Sequence, residues 1–422
     1  MKKRYGVLLF LIALAIVTFL DRIAIAVAGP RIQHDLHITP PQWGWVLGVF
    51  VLSYGIFEIP TGALGDRIGQ RRVLTRIVLW WSAFTSLTGL AAGFRSLLST
   101  RFLFGIGEAG AYPNISGALA RWFPASERAR TQGFIWAASR LGGALSPLLV
   151  VPLQELVGWR TTFGILGVIG FTWAVCWHFW YHDHPADQPG ISREELQRIA
   201  DHATPAAHGA VPWRKLFSHR QLWLIIIMYW CYAWGSWFYF GWFPVYLVKG
   251  VGFSEAQMGI FTALPFLLGT AGNLVGGFLS DRLAARFGLK IGRRLVGTTS
   301  LAVSALLMAS LAVTRNQTAV VILSSLGFGI ADLMLPAAWA VCMDVGCNYA
   351  GVVTGAMNTA GQFGGFACSV LFGYVVQATN SYNRPLFLVA AMVMVAAVLF
   401  AFIDPTKELV KSDQRSALSP QL

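Results

Sequence analysis

The chain has 422 residues, 55% of them hydrophobic and only 12% charged, and its 32 Lys and Arg exceed its 19 Asp and Glu by 13. A soluble globular protein carries roughly a quarter charged residues, so this chain has too few to cover a water-facing surface, and its 17 Trp and 29 Phe exclude an unfolded chain. A polytopic membrane protein remains; at about 20 residues per span there is room for about a dozen spans.

In chain order, Lys2, Lys3 and Arg4 precede an apolar run from Val7 to Leu20, and Ala26-Val27-Ala28 imitates a signal cleavage site. Asp21 and Arg22 interrupt that run and the apolar pattern resumes beyond them, so a first span bearing a charge pair explains more than a cleaved leader. Apolar segments follow near 43–65, 73–94, 97–120, 129–152 and 160–180, then a polar stretch, 181–220, with Pro185, Pro189, Pro205 and Pro212. Within it, 191–203 reads as a short surface helix. Six more segments run near 221–248, 255–280, 295–313, 318–341, 349–377 and 384–403. The expected architecture is an all-α membrane protein of twelve transmembrane helices in two pseudo-symmetric six-helix bundles, 1–180 and 221–405, with a cytoplasmic linker at 181–220 and a cytoplasmic tail at 406–422.

The charges then acquire a meaning. Twenty-three basic residues fall at the amino terminus, in the 2–3, 4–5 and 8–9 loops, in the linker and in the tail; six fall on the opposite side. Such asymmetry puts both termini and the linker in the cytoplasm and removes most of the case for a nucleic-acid partner. Arg22, Arg101 and Arg140 remain inside predicted spans, as do Asp21, Glu58, Glu108 and Asp332. Intramembrane charge is costly and marks a functional site by default.

Segments 2 and 3 are joined by Gly62-Ala-Leu-Gly-Asp66-Arg67-Ile-Gly69-Gln-Arg71-Arg72, and segments 8 and 9 by Gly277-Phe-Leu-Ser-Asp281-Arg282 with Gly288, Arg293 and Arg294 beyond. The shared Gly-to-Asp spacing, at the same place in each half, is an internal repeat of the kind found in transporters. Glycines let helices approach closely, and the Asp can pair with Arg or face a helix amino terminus, which makes each copy a gating latch. In segment 4, Arg101, Gly105, Glu108 and Tyr112 are spaced to share one helical stripe, where Arg101 and Glu108 neutralise each other until a proton on Glu108 frees the arginine for an anion; a purely structural ion pair is the competing reading. Gly105-Ile-Gly-Glu-Ala-Gly110 is a formal GxGxxG, but no strand precedes it and helix packing accounts for it better. Asp21 and Arg22 point about 100° apart on a helix, so one can face a cavity while the other faces a neighbour. Cys176, Cys231, Cys342, Cys347 and Cys368 read as buried free thiols. The His pairs at 34/37 and 182/184 lie in loops and are not taken as metal sites.

Residues beyond the repeat narrow the resemblance. The loop motif is similar to the signature of the major facilitator superfamily, and Arg101-Phe-Leu-Phe-Gly105-Ile-Gly107 to its segment-4 motif. FLDR at 19–22, RFLFGIGEAGAYPN at 101–114, PASERAR at 124–130, SRLGGALSP at 139–147, DHPADQPGIS at 183–192 and FPVYLVKGVGFSEAQMG at 243–259 resemble the anion:cation symporter family over nearly the whole chain. That resemblance implies a non-enzymatic, monomeric transporter of the inner membrane. It would carry a small organic anion, most plausibly a sugar acid, by alternating access in the lipid bilayer, with protons as coupling ion and no other cofactor or metal. Asp21 and Glu108 match acids assigned to proton coupling, Arg22 matches an arginine that grips the anion bidentately, Tyr54 matches a site tyrosine, and Asn358 an asparagine that hydrogen-bonds substrate. Gln362 stands where the family often has Asn, and Thr354, Asn358 and Gln362 form a polar stripe on segment 11. Tyr112 joins Arg101 on the anion side, and Trp237 or Tyr239 of segment 7 is a candidate to stack on substrate. Arg140 either lines the cavity or snorkels to a lipid interface; Asp332 is an additional proton site, a cation contact or the partner of a distant Arg. Glu58, just before Pro60 and the latch, fits a structural pair near the gate better than a substrate contact. Two alternatives stand beside this reading: a Spinster-like carrier of lysolipid or another amphiphile, which shares the acid–arginine pair of segment 1, and a non-transporting membrane sensor on the same scaffold.

Overall fold

The structure, a computed structural model, describes residues 2–123, 125–200, 213–346 and 349–409. The middle of the linker (201–212), most of the tail (410–422), Cys347 and the Asp66 side chain lie outside the described residues.

The described residues form helices and no strand, as expected where every backbone polar group must be satisfied within its own segment. Segment 1 is the helix Lys3–Val27, segment 2 Pro40–Ile68 and segment 3 Gln70–Thr88. Segments 5 and 6 run together as Ala125–Trp180 with a kink at Gly158, where φ is 78°. Segment 7 begins as Arg220–Trp237 and continues through π-helical turns at Phe238–Trp242 and Tyr246–Val251. Segments 8, 9, 11 and 12 are Glu255–Phe287, Leu289–Val313, Ala350–Thr379 and Arg384–Phe402. The surface helix expected in the linker is present as Arg193–Ala200, and its Glu195 accepts from the backbone N–H groups of Lys3 and Arg4 at 3.1 and 2.9 Å.

Among the described residues, seven helices are individually long and apolar enough to cross a membrane. Segments 3, 4 and 7 fall short by that measure because Trp, Tyr, Gly and Arg dilute them or a break divides them. One break matters. Segment 4 is not the single helix expected: it is Phe94–Glu108 followed by Ala111–Trp122, because Ala109 is extended and Gly110 left-handed (φ 83°). Segment 10 runs as Gln317–Asp332 and Met334–Gly346, joined by Leu333, whose dihedrals stay helical (φ −58°, ψ −32°), so it crosses as one 30-residue span with Asp332 at the joint. The segment-4 break falls directly after the membrane acid Glu108.

The internal repeat is visible in the backbone. Gly69 (φ 89°) ends segment 2 and Gly288 (φ 85°) ends segment 8. Both adopt a conformation that side chains with a Cβ rarely enter, so each half uses a glycine to reverse the chain after its latch. At Gly69 a Cβ would also stand 2.3 Å from Asp183 Oδ2.

The chain groups into two compact units. Unit 1 comprises Met1–Ala206, Trp237–Leu267 and Gly365–Pro385. Its core contains a ladder of rings, Trp173 on Trp177 at 5.2 Å and Trp177 on Tyr181 at 3.9 Å. At the end opposite the amino terminus, Arg31 donates to Glu255 (2.5 Å) and to the Gln154 carbonyl (2.8 Å), Lys249 donates to Gln33 (2.9 Å), and a Cβ on Gly44 would touch the Ser369 carbonyl oxygen. Unit 1 thereby clasps the ends of segments 7, 8 and 11 to segments 1, 2 and 5. Unit 2 comprises Ala207–Ser236, Leu268–Gly364 and Leu386–Leu422. Its polar end is tied by Arg293 to Asp281 (2.7 Å) and Asp344 (3.5 Å), and by Asp404 to Lys290 (3.0 Å).

Large apolar side chains such as Leu90, Leu156, Phe179 and Phe278 are exposed, the surface a bilayer requires. Cys231, Cys342 and Cys368 are buried free thiols, but Cys176 is exposed among these lipid-facing residues, a correction to the expected burial.

Candidate functional site

Arg22 is the centre of a buried polar cluster in unit 1. About one and a half helical turns before the end of segment 1, its Nε and Nη2 donate to Glu108 Oε1 at 3.1 and 2.6 Å. Three aromatic rings surround the guanidinium: Phe19 at 5.2 Å, Phe50 at 5.4 Å and Tyr54 at 4.9 Å. Such rings favour a cation through their negative faces while excluding water, which strengthens the ion pair. Glu108 Oε2 has no hydrogen-bond partner among the described residues.

This corrects the segment-4 stripe. Arg101 and Glu108 do not form the mutual pair expected; Glu108 is taken by Arg22, 86 residues away. Arg101 is buried, lies over the rings of Phe50 (4.7 Å) and Phe104 (4.3 Å), and forms no ion pair among the described residues. Tyr112 leaves the stripe because Gly110 resets the helix phase. Its ring stacks on Trp136 at 5.0 Å, and its hydroxyl is 2.7 Å from Ser139 Oγ. The break has its own device: Asn114 Nδ2 donates to the Gly110 and Thr61 carbonyls at 2.7 and 3.2 Å, so the turn after Glu108 is bound to segment 2.

Asp21, one residue before Arg22, faces elsewhere, as the helical angle requires. Both its oxygens are buried, and Trp81 and Thr85 of segment 3 stand beside it outside hydrogen-bond geometry. Glu108 and Arg101 are within electrostatic reach. Phe50, Trp81 and Thr85 were not candidates from the sequence. Phe50, which faces both arginines, carries no chemistry that sequence reading singles out.

Trp237 joins this shell: its ring is 6.2 Å from Phe50, and it fills the space left by Gly365, where a Cβ would lie 2.1 Å from the indole. Tyr239 is buried with Phe238 and Phe243 at 5.1 and 5.2 Å. Arg140 lies over Phe240 at 5.5 Å and is buried rather than snorkelling. Asn358 and Gln362 belong to unit 2 and are half-buried; Gln362 Oε1 accepts nothing among the described residues. Asp332, also in unit 2, is fully buried between Tyr232 and Asn273.

In the first latch Arg71 donates through Nε to the His178 carbonyl (2.6 Å) and through its backbone N–H to Asp183 (3.1 Å), while Arg67 and Arg72 are exposed and Gly62 approaches Pro113. In the second, Asp281 pairs with Arg293 of the same unit, Arg282 lies near the Phe278 ring, and Gly277 faces Pro336. A helical membrane scaffold with a repeated latch and a buried Arg–Glu pair has the organisation of a membrane transporter.

Residues 11–369 match the profile of the Major Facilitator Superfamily, and the chain belongs to that family. Curated relatives include a probable sulfoacetate transporter, SauU, of Cupriavidus necator, 35% identical with 98% of this chain and 97% of that one covered. They also include a hexuronate transporter of Bacillus subtilis, 30% identical with 96% of each covered, and a probable galactarate/D-glucarate transporter, GarP, of Escherichia coli, 30% identical with 95% and 94% covered. Among solved structures, the chain resembles a bacterial homolog of the human lysosomal transporter Spinster, inward-facing and unoccupied, with a TM-score of 0.79 at 18% identity over 96% of this chain and 97% of that one. At that identity the likeness shows the fold alone. The chain is a multi-pass membrane transporter.

Proposed function

We propose that this protein is a proton-coupled symporter that imports a small organic anion by alternating access. The observation that carries the reading is the Arg22–Glu108 pair: a buried guanidinium with both contacts on one carboxylate oxygen. Breaking such a pair without replacement costs about 3–5 kcal/mol, so Arg22 releases Glu108 only to a proton on the acid and an anion in its place. Protonation of Glu108 and arrival of a carboxylate or sulfonate are therefore linked events, which is what symport requires. Asp21, buried beside the pair, is the second acid of the first half; Arg101, held over two rings, adds positive potential. Tyr54 and Trp237, in the same unit as the pair, are assigned to the rest of the anion.

The relatives are named for sulfoacetate and for sugar acids, so the substrate is a small anion with a carboxylate or sulfonate head and polar oxygens behind it. The clasp from Arg31 to Glu255 and Gln154 supports a state closed at the outer end, with termini in the cytoplasm of the inner membrane, as the basic-residue asymmetry indicates. Proteoliposomes with an alkaline interior test the proposal against a panel of sulfoacetate, hexuronate, glucarate and galactonate. At least one is expected to accumulate above its external concentration and to stop when the gradient is collapsed. Accumulation of none, or accumulation indifferent to the gradient, refutes proton symport.

A further inference from the structure

The second half of the chain holds an acid that the proposed cycle does not use. Asp332 is completely buried. Tyr232 of segment 7 donates to its Oδ1 at 3.1 Å, and Asn273 of segment 8 donates through Nδ2 to its Oδ2 at 3.0 Å. The same Nδ2 also donates to the Gly269 carbonyl at 3.1 Å. An amide nitrogen between two acceptors fixes the amide's orientation, so Asn273 offers Asp332 a donor and not an oxygen. Segment 8 is hollowed to fit: a Cβ on Gly269 would lie 2.8 Å from Asp332 Oδ2, and one on Gly272 would lie 2.1 Å from the Gly329 carbonyl oxygen. The site is thus built by close approach of segments 8 and 10 and is not an incidental buried acid.

Its place in the repeat is equally specific. Glu108 is the last residue of the 15-residue helix that opens segment 4, and Asp332 is the last of the 16-residue helix that opens segment 10. Segments 4 and 10 hold the same position in the two halves. Each acid is met by a donor from the first segment of its half, Arg22 for Glu108 and Tyr232 for Asp332. The difference is the donor's charge. Across the spans that form this half, 221–248, 256–280, 295–314, 316–331, 333–343, 349–379 and 385–403, the sequence has no Lys, Arg, Asp or Glu. Segment 7 brings the Tyr232 hydroxyl to Asp332, with the Tyr229 ring 5.2 Å from that of Tyr232; segment 8 supplies the neutral Asn273. A metal cation would need oxygen ligands, whereas these partners present hydrogens. A proton fits both oxygens' surroundings: Asn273 can only donate to Oδ2, but the Tyr232 hydroxyl can turn from donor to acceptor when Oδ1 carries the proton.

We propose that Asp332 is a second-half coupling carboxylate, binding one proton at Oδ1 in each cycle and releasing it to water on the other side of the membrane, in addition to the acids of the first half. The inference rests on the proton-symport reading above. Purified protein in liposomes is poised at a series of membrane potentials and pH gradients, and the proton-to-anion ratio is read from the gradient at which net flux of a transported anion vanishes. The parent and Asp332→Asn are compared, with counterflow exchange as the control for folding and binding. The expected result is a ratio one lower in Asp332→Asn with exchange retained. An unchanged ratio in an exchanging variant overturns the role of Asp332, whereas a parent whose flux ignores the pH gradient overturns the symport reading instead. If Asp332→Asn does not exchange, Tyr232→Phe serves: removal of one donor is expected to move the pH of half-maximal uptake by at least half a unit at unchanged exchange, and an unmoved profile overturns the proposal.

Discussion

Glu108→Gln isolates the central step, because it keeps the shape of the side chain and an oxygen for Arg22 while removing both the charge and the proton. In the parent, Arg22 makes two contacts to Glu108 Oε1, at 3.1 and 2.6 Å. Arg22 stays charged, so its bond to the amide oxygen is still charge-assisted, but the attraction between opposite charges is lost; taking that loss as about 1–2 kcal/mol, of the order of one charged hydrogen bond, the amide holds Arg22 less firmly by that amount. At 1.4 kcal/mol per tenfold, an incoming anion is expected to bind about 5- to 30-fold more tightly to the variant at a pH where Glu108 is ionised in the parent. Parent affinity rises as the pH falls and Glu108 takes its proton, whereas the variant's affinity is high and flat. Calorimetric titration across pH reads the difference. In liposomes, exchange between equal pools is expected to survive and uphill uptake to disappear. Binding in the variant that keeps the parent's pH dependence, or intact uphill uptake, would refute the assignment of Glu108 as the acid that competes for Arg22.

Other perturbations test other links. Arg31→Ala removes the clasp to Glu255 and Gln154; a partly exposed pair contributes up to about 1 kcal/mol, so labelling of a cysteine placed at Gln33 from the outer side is expected to rise about fivefold, and unchanged labelling would contradict a closed outer end. Gly110→Ala forces a Cβ into a left-handed turn and to 2.7 Å from Thr61; a cost of about 1–3 kcal/mol is expected to lower the melting temperature in detergent, and an unchanged value would reject the break as a fixed element. Asp404 accepts from Thr406 and Lys290, and these bonds hold its carboxyl down at about 2 despite its burial. A depressed folded-state value stabilises above the unfolded-chain value of about 3.9 and is lost as the pH falls through about 2. Asp404→Asn is therefore expected to melt lower than the parent at neutral pH and to converge with it near pH 2, and parallel melting curves across that window would remove the carboxylate's role.

Much of the molecule can be read from the chain because its strongest determinants are local. A span is a contiguous apolar run, since lipid offers the backbone no hydrogen bonds, and the loop glycines at 69 and 288 repeat because each half must reverse in the same way. The number of segments, the duplicated latch and the short list of membrane charges follow from such runs and spacings. What pairs with what does not. Counting residues along segment 4 puts Arg101, Glu108 and Tyr112 on one stripe, but Gly110, with φ at 83°, takes Tyr112 off it, and although Arg101 and Glu108 share the helix Phe94–Glu108, the partner that reaches Glu108 is Arg22 from segment 1. Phe50 acquires its importance only where two arginines converge on its ring. The likeness of Glu108 and Asp332 also needed the tertiary structure. They share no neighbouring motif, and it is the donors that segments 1 and 7 bring to them, Arg22 and Tyr232, that place them in the same position. Charge in the membrane is cheap to locate in a sequence because it is rare; its function depends on which distant side chain shares the dry space around it, and that is settled by packing between segments.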